Sequence, residues 1–137
     1  MVDTNGANNS LLQAIDIYKE YSNGERTLPV LHRINLSVEK GEIVVIVGAS
    51  GAGKSTLLHI LGILDTPTSG SVIYKGINLN TLSAKKQAGM RNRIFGFVFQ
   101  FYHLLPDFTA LENVLLPGFI GGGFSKRKAE NKDYTSR

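Results

Sequence analysis

Gly48-Ala49-Ser50-Gly51-Ala52-Gly53-Lys54-Ser55-Thr56 fits the pattern G-x-x-x-x-G-K-[ST], a phosphate-binding loop. Before it, Ile43-Val44-Val45-Ile46-Val47 is a β-branched apolar run of the kind that suits a buried parallel strand. After it, Leu57-Leu58-His59-Ile60-Leu61 has the apolar spacing of one helix face. Strand, glycine loop and helix thus follow in the order the motif needs. Gly48, Gly51 and Gly53 let backbone N–H groups approach phosphate oxygens without a Cβ in the way. Lys54 is placed to reach the β- and γ-phosphates, and the Ser55 hydroxyl to ligate Mg²⁺. The helix adds its positive N-terminal end to the same anion site. The competing reading is a glycine-rich turn that happens to precede a helix.

Upstream of the loop, Leu11 to Tyr21 carries Leu12, Ala14, Ile15, Ile17 and Tyr18 among polar residues and is expected to be a first strand. Ser22-Asn23-Gly24-Glu25 is a turn cluster. Ile34, Leu36 and Val38 alternate at period two in a second strand-like segment, and Glu39-Lys40-Gly41-Glu42 turns the chain toward the loop. Residues 1–10 read as a disordered leader.

Downstream, Asp65-Thr66-Pro67-Thr68-Ser69-Gly70 is dense in turn formers, and Ser71 to Lys75 is a short strand. Leu82 to Arg93 is expected to be helical, with Gly89 weakening it. Ile94-Phe95-Gly96-Phe97-Val98-Phe99 reads as a strongly apolar strand with Gln100 at its C-terminal end, where ligands gather in α/β sheets. Thr109-Ala110-Leu111-Glu112 reads as a capping box, with Leu111, Val114 and Leu115 on one face and Pro117 limiting the helix. Gly121 to Arg137 is a polar, basic tail.

The chain has 137 residues, a hydrophobic fraction of 42% and a charged fraction of 19%, values of an ordinary globular protein with a real core. It contains no cysteine, so neither disulfides nor cysteine-ligated metals can form within it. The polar start lacks the pattern of a signal peptide, and no apolar run approaches the roughly 18–20 residues that span a bilayer. A cytoplasmic chain is expected, with any membrane link made through a partner. The net charge of +4 is concentrated after Gly121, where Lys126, Arg127, Lys128, Lys132 and Arg137 face only Glu130 and Asp133. Such a tail is a solvated surface more often than a nucleic-acid patch, so no nucleic-acid partner is expected.

The phosphate loop, the Asp65-to-Gly70 turn, Phe99-Gln100 and Leu105-Pro106 followed by Thr109 to Val114 occur in one order and spacing. From about Leu11 to Phe119 they resemble an ABC-transporter ATPase subunit. The stretch Phe101 to Thr109 is most similar to the ATP-binding subunit of bacterial lipoprotein-releasing systems, with macrolide-type exporters and the cell-division complex as close alternatives. The resemblance implies an α/β P-loop NTPase core with an N-terminal antiparallel β subdomain, cut off before the signature motif. It implies residues 11–120 as the first part of the nucleotide-binding domain and 121–137 as a lead into a helical subdomain.

It further implies ATP and Mg²⁺ as ligands. Gly48, Ser50, Gly51, Ala52, Gly53, Lys54, Ser55 and Thr56 would hold the phosphates, with Ser55 on the metal. Gln100 would complete the metal and water environment as a catalytic residue and sense transmembrane permease subunits through the stretch after it. Its amide carbonyl suits a hard cation, and its amide can orient water. Tyr21 would stack on adenine, with Tyr18 the alternative and core packing the plainer role. His103, His32 and His59 have no spaced partners and carry no metal reading. The implied setting is the inner face of the bacterial inner membrane, with a second ATPase copy closing the site.

The family also needs a Leu-Ser-Gly-Gly-Gln signature, an apolar strand ending in Asp-Glu and a later switch histidine, and none occurs before Arg137. Gly121-Gly122-Gly123 has no Leu-Ser before it and no Gln after it. The expectation is a partial chain that binds ATP without turning it over, since phosphoryl transfer needs metal, water and positive charge placed together. A soluble P-loop kinase or GTPase would have no reason to carry Gln100, Leu-Pro and the capping box. A non-catalytic binding fragment is favoured by the missing base, and a DNA-repair ATPase is disfavoured by the lack of a basic stripe.

Overall fold

The computed structural model describes residues 10–121. The leader and the basic tail therefore lie outside the described residues, apart from Ser10 and Gly121. These residues divide into two units, one ending at Ser83 and the other beginning at Ala84.

The first unit is built on an antiparallel hairpin of β1 (Ser10–Ser22) and β2 (Thr27–Glu39). Its turn is closed by Asn23, whose N–H donates to the Arg26 carbonyl and whose Oδ1 accepts from the Arg26 N–H at 2.9 Å. β3 (Ser69–Tyr74) pairs with β1, and β4 (Ile77–Asn78) with β3, so the antiparallel sheet runs β2-β1-β3-β4. Helix α1 (Lys54–Leu61) follows the glycine loop. The buried apolar residues are Ala14 and Ile17 of β1, Leu31 of β2, Leu57, Ile60 and Leu61 of α1, Val72 of β3, and Ile63 and Leu79. The α1 members fall at i, i+3 and i+4, the spacing that puts them on one helix face.

Both long strands are kinked at the same level. Asp16 and Arg33 adopt left-handed φ of 49° and 48°, and the β1–β2 register shifts between Ala14 and Ile17. Asn35 holds the kink, accepting from the Asp16 N–H at 2.9 Å and donating to the Asp16 carboxylate and the Arg33 carbonyl, both at 3.2 Å. β3 fits against it because residue 70 is glycine, for a Cβ there would lie 2.4 Å from the Asp16 carbonyl oxygen.

The second unit contains α2 (Ala84–Ile94) and α3 (Ala110–Ile120). The capping box at Thr109 is present with both of its hydrogen bonds. Asn92 donates to the Pro117 carbonyl at 3.1 Å, tying the two helices. Among the described residues no helix is long and apolar enough to cross a membrane.

Three expectations are corrected. Ile43–Val47 is not a strand, and Val45 and Val47 are 75% and 84% exposed. Ile94 ends α2, and Phe95–Phe99 is not a strand either, although Phe97 and Phe99 stack at 5.5 Å in the i, i+2 manner of extended backbone. The reason is the same for both: β-branched and aromatic runs favour extended backbone, but a strand exists only beside a neighbour that completes its ladder. Among the described residues neither run has one. Pro117 does not stop α3, which continues to Ile120. None of the residues of α3 is buried.

Candidate functional site

The glycine loop is shaped by two left-handed residues, Gly51 at φ 78° and Gly53 at φ 86°. Gly53 is also pressed against β2, where a Cβ would come within 2.8 Å of the Leu31 side chain and 3.0 Å of the Val30 carbonyl oxygen. That contact seats the start of α1 on the sheet, and burial of Leu57, Ile60 and Leu61 fixes the helix direction. Gly53 caps α1 with no side-chain hydrogen bond, and the first turn contains no acidic residue. The N-terminal N–H groups are therefore presented without a competing anion.

Lys54 folds back over this loop, its Nζ donating to the carbonyls of Gly48 at 2.9 Å and Ala49 at 2.6 Å. The Ala52 N–H turns inward to the Ala49 carbonyl at 3.3 Å. Ser50, Gly51, Ala52 and Ser55 are exposed, while Gly53, Lys54 and Thr56 are half-buried. An ammonium, a row of helix-start N–H groups and a hydroxyl form a donor set suited to phosphate oxygens and a hard cation. Among the described residues no group of three or more His, Asp or Glu is arranged to hold a metal ion.

Tyr21 lies at the end of β1, 46% exposed, and its hydroxyl donates to Asp65 Oδ2 at 2.8 Å. Lys19 is nearly buried and donates to Asp65 Oδ1 at 2.8 Å and to the Thr66 carbonyl at 2.7 Å. Its ammonium also sits 4.7 Å from the centre of the Tyr21 ring, a cation–π distance. Partial burial pushes the Asp65 carboxyl up, but the bonds from Lys19, Tyr21 and the Thr66 N–H, with the Lys19 charge, outweigh it. The net position is below the ordinary carboxylate value.

Tyr18 is engaged differently. Its hydroxyl donates to Glu20 at 2.8 Å, its ring meets His32 edge-on, and the Glu20 bond raises its pKa above the ordinary 10.0. Gln100 belongs to the second unit and is exposed between α2 and α3. Phe101, Tyr102 and Leu104 beyond it are also exposed. The turn Leu105–Thr109 is held by Asn113, which accepts from the Leu105 N–H at 2.9 Å and donates to the carbonyls of Leu105, Phe108 and Thr109. The sequence marks Asp65 only as part of a turn and assigns Lys19, Asp65 and Asn113 no place in the site. The period-two spacing of Lys19 and Tyr21 was the one available signal for the first, and nothing local pairs residue 19 with 65.

The family model for the ABC transporter domain matches residues 31–137, which includes the loop and helix just described. This chain belongs to the ABC transporter family. It is 56% identical over 113 residues to the lipoprotein-releasing system ATP-binding protein LolD of Shewanella frigidimarina (strain NCIMB 400), covering 82% of this chain and 47% of that protein. To LolD of Shewanella denitrificans (strain OS217 / ATCC BAA-1090 / DSM 15013) it is 52% identical over 124 residues, 90% of this chain and 52% of that one. Among solved structures it is similar to the dimeric ATP-binding cassette MJ0796 in a post-hydrolysis state bound to ADP and Pi. The TM-score is 0.78 at 40% identity, over 85% of this chain and 51% of that one. A second dimeric structure of MJ0796, a bacterial ABC transporter cassette, matches with the same values. This ABC transporter chain thus spans about half the length of the relatives it matches.

Proposed function

We propose that this chain is the phosphate- and base-holding part of an ABC transporter ATPase that powers release of lipoproteins from the bacterial inner membrane. The observation that carries the reading is the loop itself, with Lys54 bonded across the carbonyls of Gly48 and Ala49 at an uncapped helix start. Bound Mg-ATP supplies the triphosphate that this donor set answers. Lys54 exchanges its two carbonyls, and the Ala52 N–H its Ala49 carbonyl, for phosphate oxygens; Gly48 and Ser50 to Thr56 hold the phosphates, and the Ser55 hydroxyl ligates the cation. Tyr21 stacks on the adenine. Gln100 orients water and the cation, and the exposed stretch after it meets permease subunits.

The likeness to LolD supports the lipoprotein role and a peripheral place at the inner membrane's inner face, and the dimeric cassettes support pairing with a second copy. Residues 11–120 act as the first part of the nucleotide-binding domain. The sequence contains neither signature nor Asp-Glu pair, so the 137-residue chain binds ATP without steady turnover. Titration with a fluorescent ATP analogue tests the site. Lys54→Ala removes a charge-assisted contact and lowers affinity about ten- to a hundredfold. Equal affinities would sink the assignment.

A further inference from the structure

Asp65 is used by two groups at once. One carboxylate oxygen takes Lys19 Nζ at 2.8 Å, and the other takes the Tyr21 hydroxyl at 2.8 Å. Lys19 closes the ring of contacts by lying 4.7 Å from the centre of the Tyr21 ring, and is itself fixed by the Thr66 carbonyl at 2.7 Å. A tyrosine at a strand end with nearly half its surface in solvent would otherwise sample several rotamers and lose that freedom on stacking. Here the hydroxyl is tethered at one edge, and one ring face is occupied by an ammonium. A planar ligand is left the other face, at a set tilt.

We propose that Lys19 and Asp65 are positioning residues that hold the Tyr21 ring as a one-sided platform for a purine base. The proposal rests on the reading of Tyr21 as the base-stacking residue. Tyr18, turned to Glu20 and His32, has no such support. The period-two run of β1 puts Lys19 beside Tyr21, and the chain leaving α1 brings Asp65 to both.

A purely structural salt bridge between β1 and the 65–66 turn would produce the same bond lengths, so the test separates base from phosphate. The 137-residue chain is titrated with Mg-ATP and with Mg-tripolyphosphate, and the ratio of the two affinities is the readout. Asp65→Ala and Lys19→Met lower the ratio about three- to tenfold, with tripolyphosphate affinity unchanged, and Lys19→Arg restores part of the loss. Tyr21→Phe keeps the ring but not the tether, and lowers the ratio about two- to fourfold. Tyr21→Ala sets the full base contribution.

If Tyr21→Ala lowers the ratio but Asp65→Ala, Lys19→Met and Tyr21→Phe leave it at the wild-type value, the platform needs no brace and the inference is overturned alone. If Tyr21→Ala leaves the ratio unchanged, the underlying assignment of Tyr21 fails and takes the inference with it. Should Asp65→Ala and Lys19→Met lose tripolyphosphate as well, they have lost the fold. Tyr21→Phe then decides: a lowered ratio upholds the proposal, and a wild-type ratio overturns it.

Discussion

Three glycines in one loop make unequal demands, and substituting each by alanine measures them. Gly48 has no left-handed φ, and a Cβ there would sit 3.5 Å from the Ala52 Cβ, an ordinary contact. Gly48→Ala is expected to change stability by less than about 1 kcal/mol, with reduced unfolded-chain entropy pushing toward stabilisation. Gly51 has φ 78° and open space around its Cβ position, so Gly51→Ala costs only the left-handed backbone term, about 1–2 kcal/mol. Gly53 has φ 86° and in addition meets Leu31 at 2.8 Å and the Val30 carbonyl at 3.0 Å. The leucine methyl can yield, but the β2 backbone cannot without disturbing the ladder. Overpacking adds about 1–3 kcal/mol to the same backbone term, so Gly53→Ala costs about 2–5 kcal/mol. Against a domain stability of about 5–15 kcal/mol this is severe. At a urea dependence of about 1.5 kcal/mol per molar, a loss of 3 kcal/mol lowers the midpoint by about 2 M. Urea unfolding followed by circular dichroism gives the three midpoints. Equal midpoints for Gly48→Ala and Gly53→Ala would refute the account of how β2 seats the loop.

The Asp65 carboxyl ionises more readily in the folded chain, so its contribution is complete above the ordinary pKa of 3.8 and is lost as pH falls through the lower folded value. Acid unfolding of Asp65→Asn should accordingly show a flatter limb below about pH 4, and an unchanged limb would remove this carboxyl from the acid response. Thr109→Ala strips the side-chain half of the capping box; Glu112, held down by the Thr109 N–H and hydroxyl, should move back toward its ordinary 4.5 in an NMR titration. The loss of the cap should cost about 1 kcal/mol in urea. Asn113→Ala should speed hydrogen exchange at the Leu105 amide, which donates to the Asn113 side chain.

Features written in consecutive residues were legible in the sequence. The loop from Gly48 to Thr56, the Asn23 turn and the Thr109–Glu112 box each depend on side chains within a few positions, and the structure contains all three. Ile43–Val47 and Ile94–Phe99 were misread because apolar β-branched and aromatic composition reports a backbone preference, whereas pairing requires a second segment elsewhere. Pro117 was misread for a related reason: it sits late enough in α3 that the helix resumes beyond it, with the Gly121 N–H reaching the Pro117 carbonyl at 3.0 Å. The Lys19–Asp65 pair joins positions 46 apart, a separation at which local pattern carries no information.

The exit of α1 is as firmly set as its entry. The N–H groups of Leu64 and Asp65 both return to the His59 carbonyl, at 2.7 and 3.2 Å, and Ile63 holds a left-handed φ of 59° with its side chain buried. The rod that starts at Lys54 therefore ends by delivering Asp65 in a fixed orientation. Its eight residues span about 12 Å, so under the proposed nucleotide reading α1 would act as a gauge block between the triphosphate end and the base end of one ligand. One residue inserted into it would swing Asp65 by about 100° and advance it about 1.5 Å. Such a change would leave the glycine loop in place and still dismantle the Lys19–Asp65–Tyr21 cluster, making the helix less tolerant of length change than of substitution on its exposed side.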